Sequence, residues 1–205
     1  MKIDPAGLGL KEAHDLLISA VLPRPIAFVS TLGKDGVYNL APFSYFSILS
    51  TKPAVAGIGI GRKRDGRKKD TQANIEFAKD FVINIVTESI AKAMNQASGE
   101  YPSDVDEFKE AGLTPAPSDL IRSPRVIESP VNMECLLMQI LEFGEPPRSS
   151  FIIGEIIRVH IKDEVWVDGV IRAPQLKAIG RLGEDFYCRT MDIFEMKRPN
   201  ILPKP

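Results

Sequence analysis

A chain of 205 residues, 44% hydrophobic and 26% charged, carries enough apolar material for a sizeable core and the charge of an ordinary globular protein. Its net charge of −1 argues against broad electrostatic binding of nucleic acid. The opening MKIDPAGLGLKEAHDLL lacks the basic start and apolar core of a signal peptide, and no apolar run reaches membrane-spanning length. Cys135 and Cys188 are the only cysteines, and His14 and His160 the only histidines, so no zinc-ligand set is expected. Reduced thiols and a cytoplasmic location are expected, with a Cys135–Cys188 bridge left open by sequence.

Residues 10–20, LKEAHDLLISA, place Leu10, Ala13, Leu16, Leu17 and Ala20 at helical spacing and predict a short amphipathic helix. Pro23 and Pro25 stop it. PIAFVST predicts a strand from its branched and aromatic residues, and LGKDG a hairpin turn. VYNLAPFSYFSILS reads as one or two strands in which Pro42 demands an edge, a bulge or a bend. AVAGIGIG predicts another strand, whose glycines suggest close approach of a backbone or a ligand. TQANIEFAKD predicts a short helix, and FVINIV a buried strand.

Residues 88–111 read as helical and polar, ending at Gly112, and the proline-rich 112–130 as a surface excursion. VNMECLLMQILEFG and FIIGEIIRVHI predict two long strands. In the second, Ile153, Ile157, Val159 and Ile161 share a face that Glu155 interrupts, with Arg158 and His160 opposite. Trp166, in EVWVDG, is expected to pack beside a turn. RLGEDFYCRTMDIFEMKRP predicts one more strand and a basic, proline-ended terminus. Helices and strands do not alternate as a parallel α/β sheet requires. The expected class is mainly β with peripheral helices: one barrel domain over 1–205, with a helical, proline-rich excursion at about 88–130.

Three segments stand out from core-building sequence. In PRPIAFVST, Arg24 lies between two prolines, and Ser30 and Thr31 end a strand; a proline-bounded edge with turn hydroxyls explains them equally. In NLAPFSYFS, Asn39, Ser44 and Ser47 alternate with aromatics, which suits a flat, partly polar ring or simply a strand with one wet face. RKRDGRKKDTQAN begins at Arg62 and runs a basic loop into a helix start. Asp70 or Thr71 can cap that helix, and Lys69, Thr71 and Asn74 can converge on an anion at its first turn. A solvated basic loop is the plainer reading. No nucleophile elbow or acid–base pair is evident, so no catalytic side chain is nominated.

Together RPIAFVST, DG, NLAPFSYFS, KDTQANI, FVINIV, GEIIRVHI and RLGEDFYCR, in this order, resemble the flavin-reductase-like family of FMN-binding split β-barrels, which includes the flavoredoxins. The resemblance implies a six-stranded Greek-key barrel and a homodimer with FMN near the subunit interface. It implies that Arg24, Ser30 and Thr31 border the flavin, and that Asn39, Ala41, Pro42, Phe43 and Ser44 follow its ring and ribityl chain. It further implies that Lys69, Thr71 and Asn74 hold the phosphate, with Arg62 assisting and Asp70 capping the helix or orienting Lys69.

The activity implied is that of an NAD(P)H:flavin reductase, or of a flavoredoxin-like electron carrier serving a redox partner protein. The chemistry would be the flavin's, with the protein supplying position and electrostatics. Two other readings stand beside it: a non-redox FMN-binding or flavin-sensing module, and an interaction barrel whose basic loop binds an acidic partner.

Overall fold

A computed structural model describes residues 1–199. After helix α1 (Leu10–Ala20) come strands β1 (Ala27–Leu32), β2 (Tyr38–Phe43), β3 (Tyr45–Thr51) and β4 (Ala54–Gly61). Helix α2 (Asp70–Ala78) precedes β5 (Asp80–Ile85), and helices α3 (Ala91–Gln96) and α4 (Glu107–Ala111) follow it. A minimal hairpin, β6 (Pro115–Ala116) and β7 (Arg125–Val126), leads to the long strands β8 (Val131–Phe143) and β9 (Ser149–Ile161). Two small hairpins are the last strands among the described residues: β10 (Trp166–Val167) with β11 (Val170–Ile171), and β12 (Ile179–Arg181) with β13 (Tyr187–Arg189). No helix among the described residues is long and apolar enough to cross a membrane.

Seven strands, rather than the six the resemblance implied, form one antiparallel sheet in the order β2-β1-β5-β8-β9-β4-β3. Its two edges, β2 and β3, are separated in sequence by Ser44 alone. One residue spans only about 3.8 Å, so the sheet must curl until its edges meet. The result is a split barrel. Pro42 lies on edge strand β2 opposite Phe28, where its missing N–H costs no ladder bond.

Strand alternation gives the sheet two cores. Inside the barrel, Ala27, Val29, Phe43, Ile58, Phe81, Ile83 and Ile152 pack together, and Ile75 of α2 plugs one end. On the outer face, Phe28, Leu40 and Val86 pack against Met94, Ala97, Phe108, Leu113 and Val126 of the excursion and Ile179 of β12. The expected surface excursion is therefore a second wall. Ser123, Val126 and Ser129 are buried, held by Asp80, Asn84 and the Ile85 carbonyl. Its prolines signal irregular backbone, which sequence reading equates with the surface, but side-chain carboxylates and amides satisfy that backbone here.

Several local expectations change. The core face of β9 carries Ser150, Ile152 and Gly154; Val159 is exposed, so the Ile153–Val159 face is the outward one. Both faces are apolar, and the period-two pattern cannot tell inside from outside. Gly57 and Gly154 make room for aromatic rings rather than for a ligand: a Cβ at Gly154 would lie 2.5 Å from Phe81 Cζ, and one at Gly57 would strike the Phe151 ring. No residue of α1 is buried, and Trp166 is about half exposed rather than packed. Both cysteines are free, and burial pushes the Cys135 thiol far up, leaving it inert. The expected basic, proline-ended terminus carries no helix or strand over residues 192–199.

Candidate functional site

The barrel end closed by α2 holds a hydrogen-bonded group of five side chains. Thr31 and Asn39 face each other across β1 and β2, so their side chains share the interior face. Thr71 Oγ1 donates to Asn39 Oδ1 at 2.9 Å, and Asn74 Nδ2 donates to Thr31 Oγ1 at 3.1 Å. Asn39 Nδ2 in turn donates to Glu107 Oε1 at 3.1 Å, and the Leu40 amide to Glu107 Oε2 at 3.1 Å. Burial raises the Glu107 carboxyl above the ordinary carboxylate value, against the lowering effect of these N–H donors.

A cleft opens beside this group, lined by Asn39, Ala41, Pro42, Lys63, Lys69, Asp70, Thr71, residues 97–101 and Glu107. Its electrostatics follow from which cations are already paired. Arg62 binds Glu142 at 2.8 Å and Gln72 at 2.7 Å; Lys63 binds Asp70 at 2.7 Å. Arg64, Arg67 and Lys68 pair with Glu100, Asp65 and Glu76. Among the described residues, Lys69 is the one basic side chain of this stretch without a carboxylate at ion-pair distance, and its Nζ lies 5.9 Å from the centre of the Phe43 ring.

Lys69 is also the N-cap residue of α2, and no side chain caps the helix. The expected cap from Asp70 or Thr71 does not form: Asp70 is turned to Lys63, and Thr71 to Asn39. The first-turn amides of α2 thus stay open beside an unpaired ammonium group, an arrangement that attracts anions.

The other expected site residues lie elsewhere. Ser30, next to Thr31, points to the opposite face of the sheet. It donates to the Pro124 carbonyl and accepts from Asn84 Nδ2 at 3.0 Å. Adjacent strand residues cannot line one pocket. Arg62 is turned out toward β8, and its place in the cleft is taken by Lys63. Phe43 is in the barrel core.

Arg24 and Ser44 meet each other, with Arg24 Nε donating to Ser44 Oγ at 3.3 Å. Arg24 also donates to the Ile18 carbonyl at 2.5 Å and the Leu182 carbonyl at 2.9 Å. It thereby ties together the two walls of a groove of about 700 Å³ lined by Leu16, Ser19, Leu22, Gly183 and Phe186.

Sequence reasoning missed Lys63 and Glu107. Only the loop hairpin, Arg62 paired with Lys68, turns Lys63 inward, and Glu107 belongs to the excursion, whose docking no local pattern reveals. The fold also gathers Asp119, Glu134 and His160 within 4.8 Å of one another, although no zinc set was expected. Glu134 there already accepts from the Asp119 and Leu120 amides at 2.8 Å each, and Arg158 holds Asp119 at 2.8 Å. That is the wiring of an ion-paired strap.

The flavin reductase like domain model matches residues 19–173. The chain belongs to the flavin-reductase-like family. An uncharacterized protein of Halalkalibacterium halodurans is 38% identical over 204 residues, covering 98% of each chain. The crystal structure of nitrilotriacetate monooxygenase component B from Bacillus cereus is similar at a TM-score of 0.92 and 34% identity, covering 96% of this chain and 98% of that one. The 2-nitrobenzoate 2-nitroreductase NbaA of Pseudomonas fluorescens is similar at a TM-score of 0.88 and 31% identity, covering 100% of this chain and 99% of that one. A flavin cofactor and a flavin-related oxidoreductase role follow from family membership. The donor set of the cleft fits the phosphate end of a flavin nucleotide: an unpaired ammonium, open helix amides and no competing cap.

Proposed function

We propose that this flavin-reductase-like chain is an FMN-dependent oxidoreductase that takes electrons from NAD(P)H and passes them to free flavin or to a redox partner protein. The observation that carries the reading is Lys69, an unpaired cation at an uncapped helix start in the cleft, within the family's barrel. A neutral riboflavin would have no use for that cation; a phosphate monoester would. Lys69 and the α2 amides hold the phosphate, and Lys63, neutralised by Asp70, adds a weaker pull.

When bound, FMN supplies the hydride-accepting chemistry. The chain's own residues bind and orient. Ala41 and Pro42 offer a flat, small-side-chain wall beside the cleft, and Ser44, held by Arg24, fixes the kink between β2 and β3.

A homodimer completes the proposal. Tyr45 and Leu49 of edge strand β3 and Leu136, Leu141 and Phe143 of β8 are exposed apolar side chains on the outer face of the sheet. An apolar face with an open strand edge suits a second copy. The two free thiols fit a reducing, cytoplasmic compartment.

The test is anaerobic mixing of the FMN-loaded protein with NADH or NADPH. Rapid bleaching of the flavin's visible absorbance is expected. A protein that binds FMN but bleaches only with dithionite or a reduced partner is a carrier, and one that takes up no FMN overturns the proposal.

A further inference from the structure

The geometry points to Glu107 as a positioning residue: acting through Asn39, it dictates that the Thr71 hydroxyl offers the anion cleft lone pairs rather than a proton. The inference rests on the phosphate reading of the cleft.

Glu107 is 7% exposed, at the first residue of α4. Its carboxylate has only acceptors, and both are used, by Asn39 Nδ2 and by the Leu40 amide, at 3.1 Å each. Asn39 is therefore obliged to turn its NH2 toward Glu107 and its carbonyl toward Thr71. A carbonyl oxygen can only accept, so Thr71, at 2.9 Å, must donate. Thr31 lies 3.5 Å from the same oxygen and accepts from Asn74, which holds the arrangement from the far side. A hydroxyl has one proton, and that of Thr71 is committed to Asn39. What Thr71 presents to the cleft is a lone pair, which repels a phosphate oxygen. The cleft thus grips an anion through Lys69 and the α2 amides alone, and more weakly than its composition suggests.

Glutamine at position 107 reverses the relay. Its carbonyl still accepts from Leu40, but its NH2 now faces Asn39, which rotates to accept from it. Asn39 Nδ2 then donates to Thr71, whose proton is released toward the cleft.

The experiment is titration of wild type, Glu107→Gln, Thr71→Val and the double variant with FMN and with riboflavin, which lacks the phosphate. Glu107→Gln is expected to tighten FMN about tenfold, the scale of one charge-assisted hydrogen bond, with riboflavin unchanged within about twofold. In the Thr71→Val background the same substitution should give no gain. Riboflavin binding reports that each variant is folded.

A gain that persists without the Thr71 hydroxyl reflects only a removed negative charge and overturns the relay, as does no gain at all. Asp106→Ala loosens the cap of α4, where Asp106 accepts from the Phe108 amide, but leaves Glu107 in place. If it reproduces the gain, Glu107 is merely structural. A wild-type protein that binds FMN and riboflavin equally would instead sink the phosphate reading itself, and the relay with it.

Discussion

Glu134, fully buried on β8, meets His160 Nε2 of β9 at 2.5 Å. The two residues tie the excursion to the sheet, because Glu134 also accepts from the Asp119 and Leu120 amides. Burial pushes its carboxyl up, but these amides and His160 outweigh burial and hold it below the ordinary 4.5. A carboxyl lowered in the folded state adds stability above its unfolded pKa and loses it as pH falls through the folded one. Urea unfolding of wild type and Glu134→Gln should therefore show wild type more stable at neutral pH, with the gap closing below about pH 4.5. A gap that is independent of pH contradicts this account.

Arg24 is a brace rather than an exposed cation. It is 5% exposed and reaches the Ile18, Val21 and Leu182 carbonyls together with Ser44. Arg24→Ala leaves those groups unpaired and should cost about 2–4 kcal/mol in chemical denaturation, the sum of a few hydrogen bonds to a charged donor. Arg24→Lys should recover only part, since an ammonium cannot span both walls of the groove. A loss below about 0.5 kcal/mol, the range of ordinary surface changes, rules the brace out.

Lys69→Ala should weaken FMN binding by about 1.5–3 kcal/mol, one charge-assisted interaction, and leave riboflavin binding nearly unchanged. Arg62→Ala, whose partners are Glu142 and Gln72, should change FMN affinity far less. Calorimetric titration separates the two. Equal losses at both positions show that the whole loop, not Lys69, attracts the nucleotide.

Leu49 is exposed on edge strand β3, on the outer face of the sheet. Leu49→Asp buries a charge in the proposed dimer face and should shift the protein to monomer in light scattering. A wild type that is itself monomeric at micromolar concentration removes the dimer from the proposal.

Much of this fold is legible in the chain. Helix α1 falls on the expected residues 10–20, and the β1–β2 turn, β4, α2 and β5 lie where branched residues and turn glycines put them. Such local patterns reflect backbone preferences that each segment carries with it. Asn39, Ala41, Pro42, Lys69, Asp70 and Thr71, which the family resemblance grouped around one cofactor, line one cleft.

The rest depends on contacts that no local pattern contains. Ile153 and Val159 look like core because both faces of β9 are apolar, and only packing against β4 and β8 decides which face is buried. Ser30 and Thr31 look like one site until strand pairing sends them to opposite faces. The sequence alone determined helix α1, the main strands and the β1–β2 turn, and the presence of six basic residues in RKRDGRKKD. Only the tertiary structure decided which of them is left unpaired: the partner of Arg62 is 80 residues away and that of Arg64 is 36, so sheet register and loop docking assign the carboxylates and leave Lys69 for the cleft.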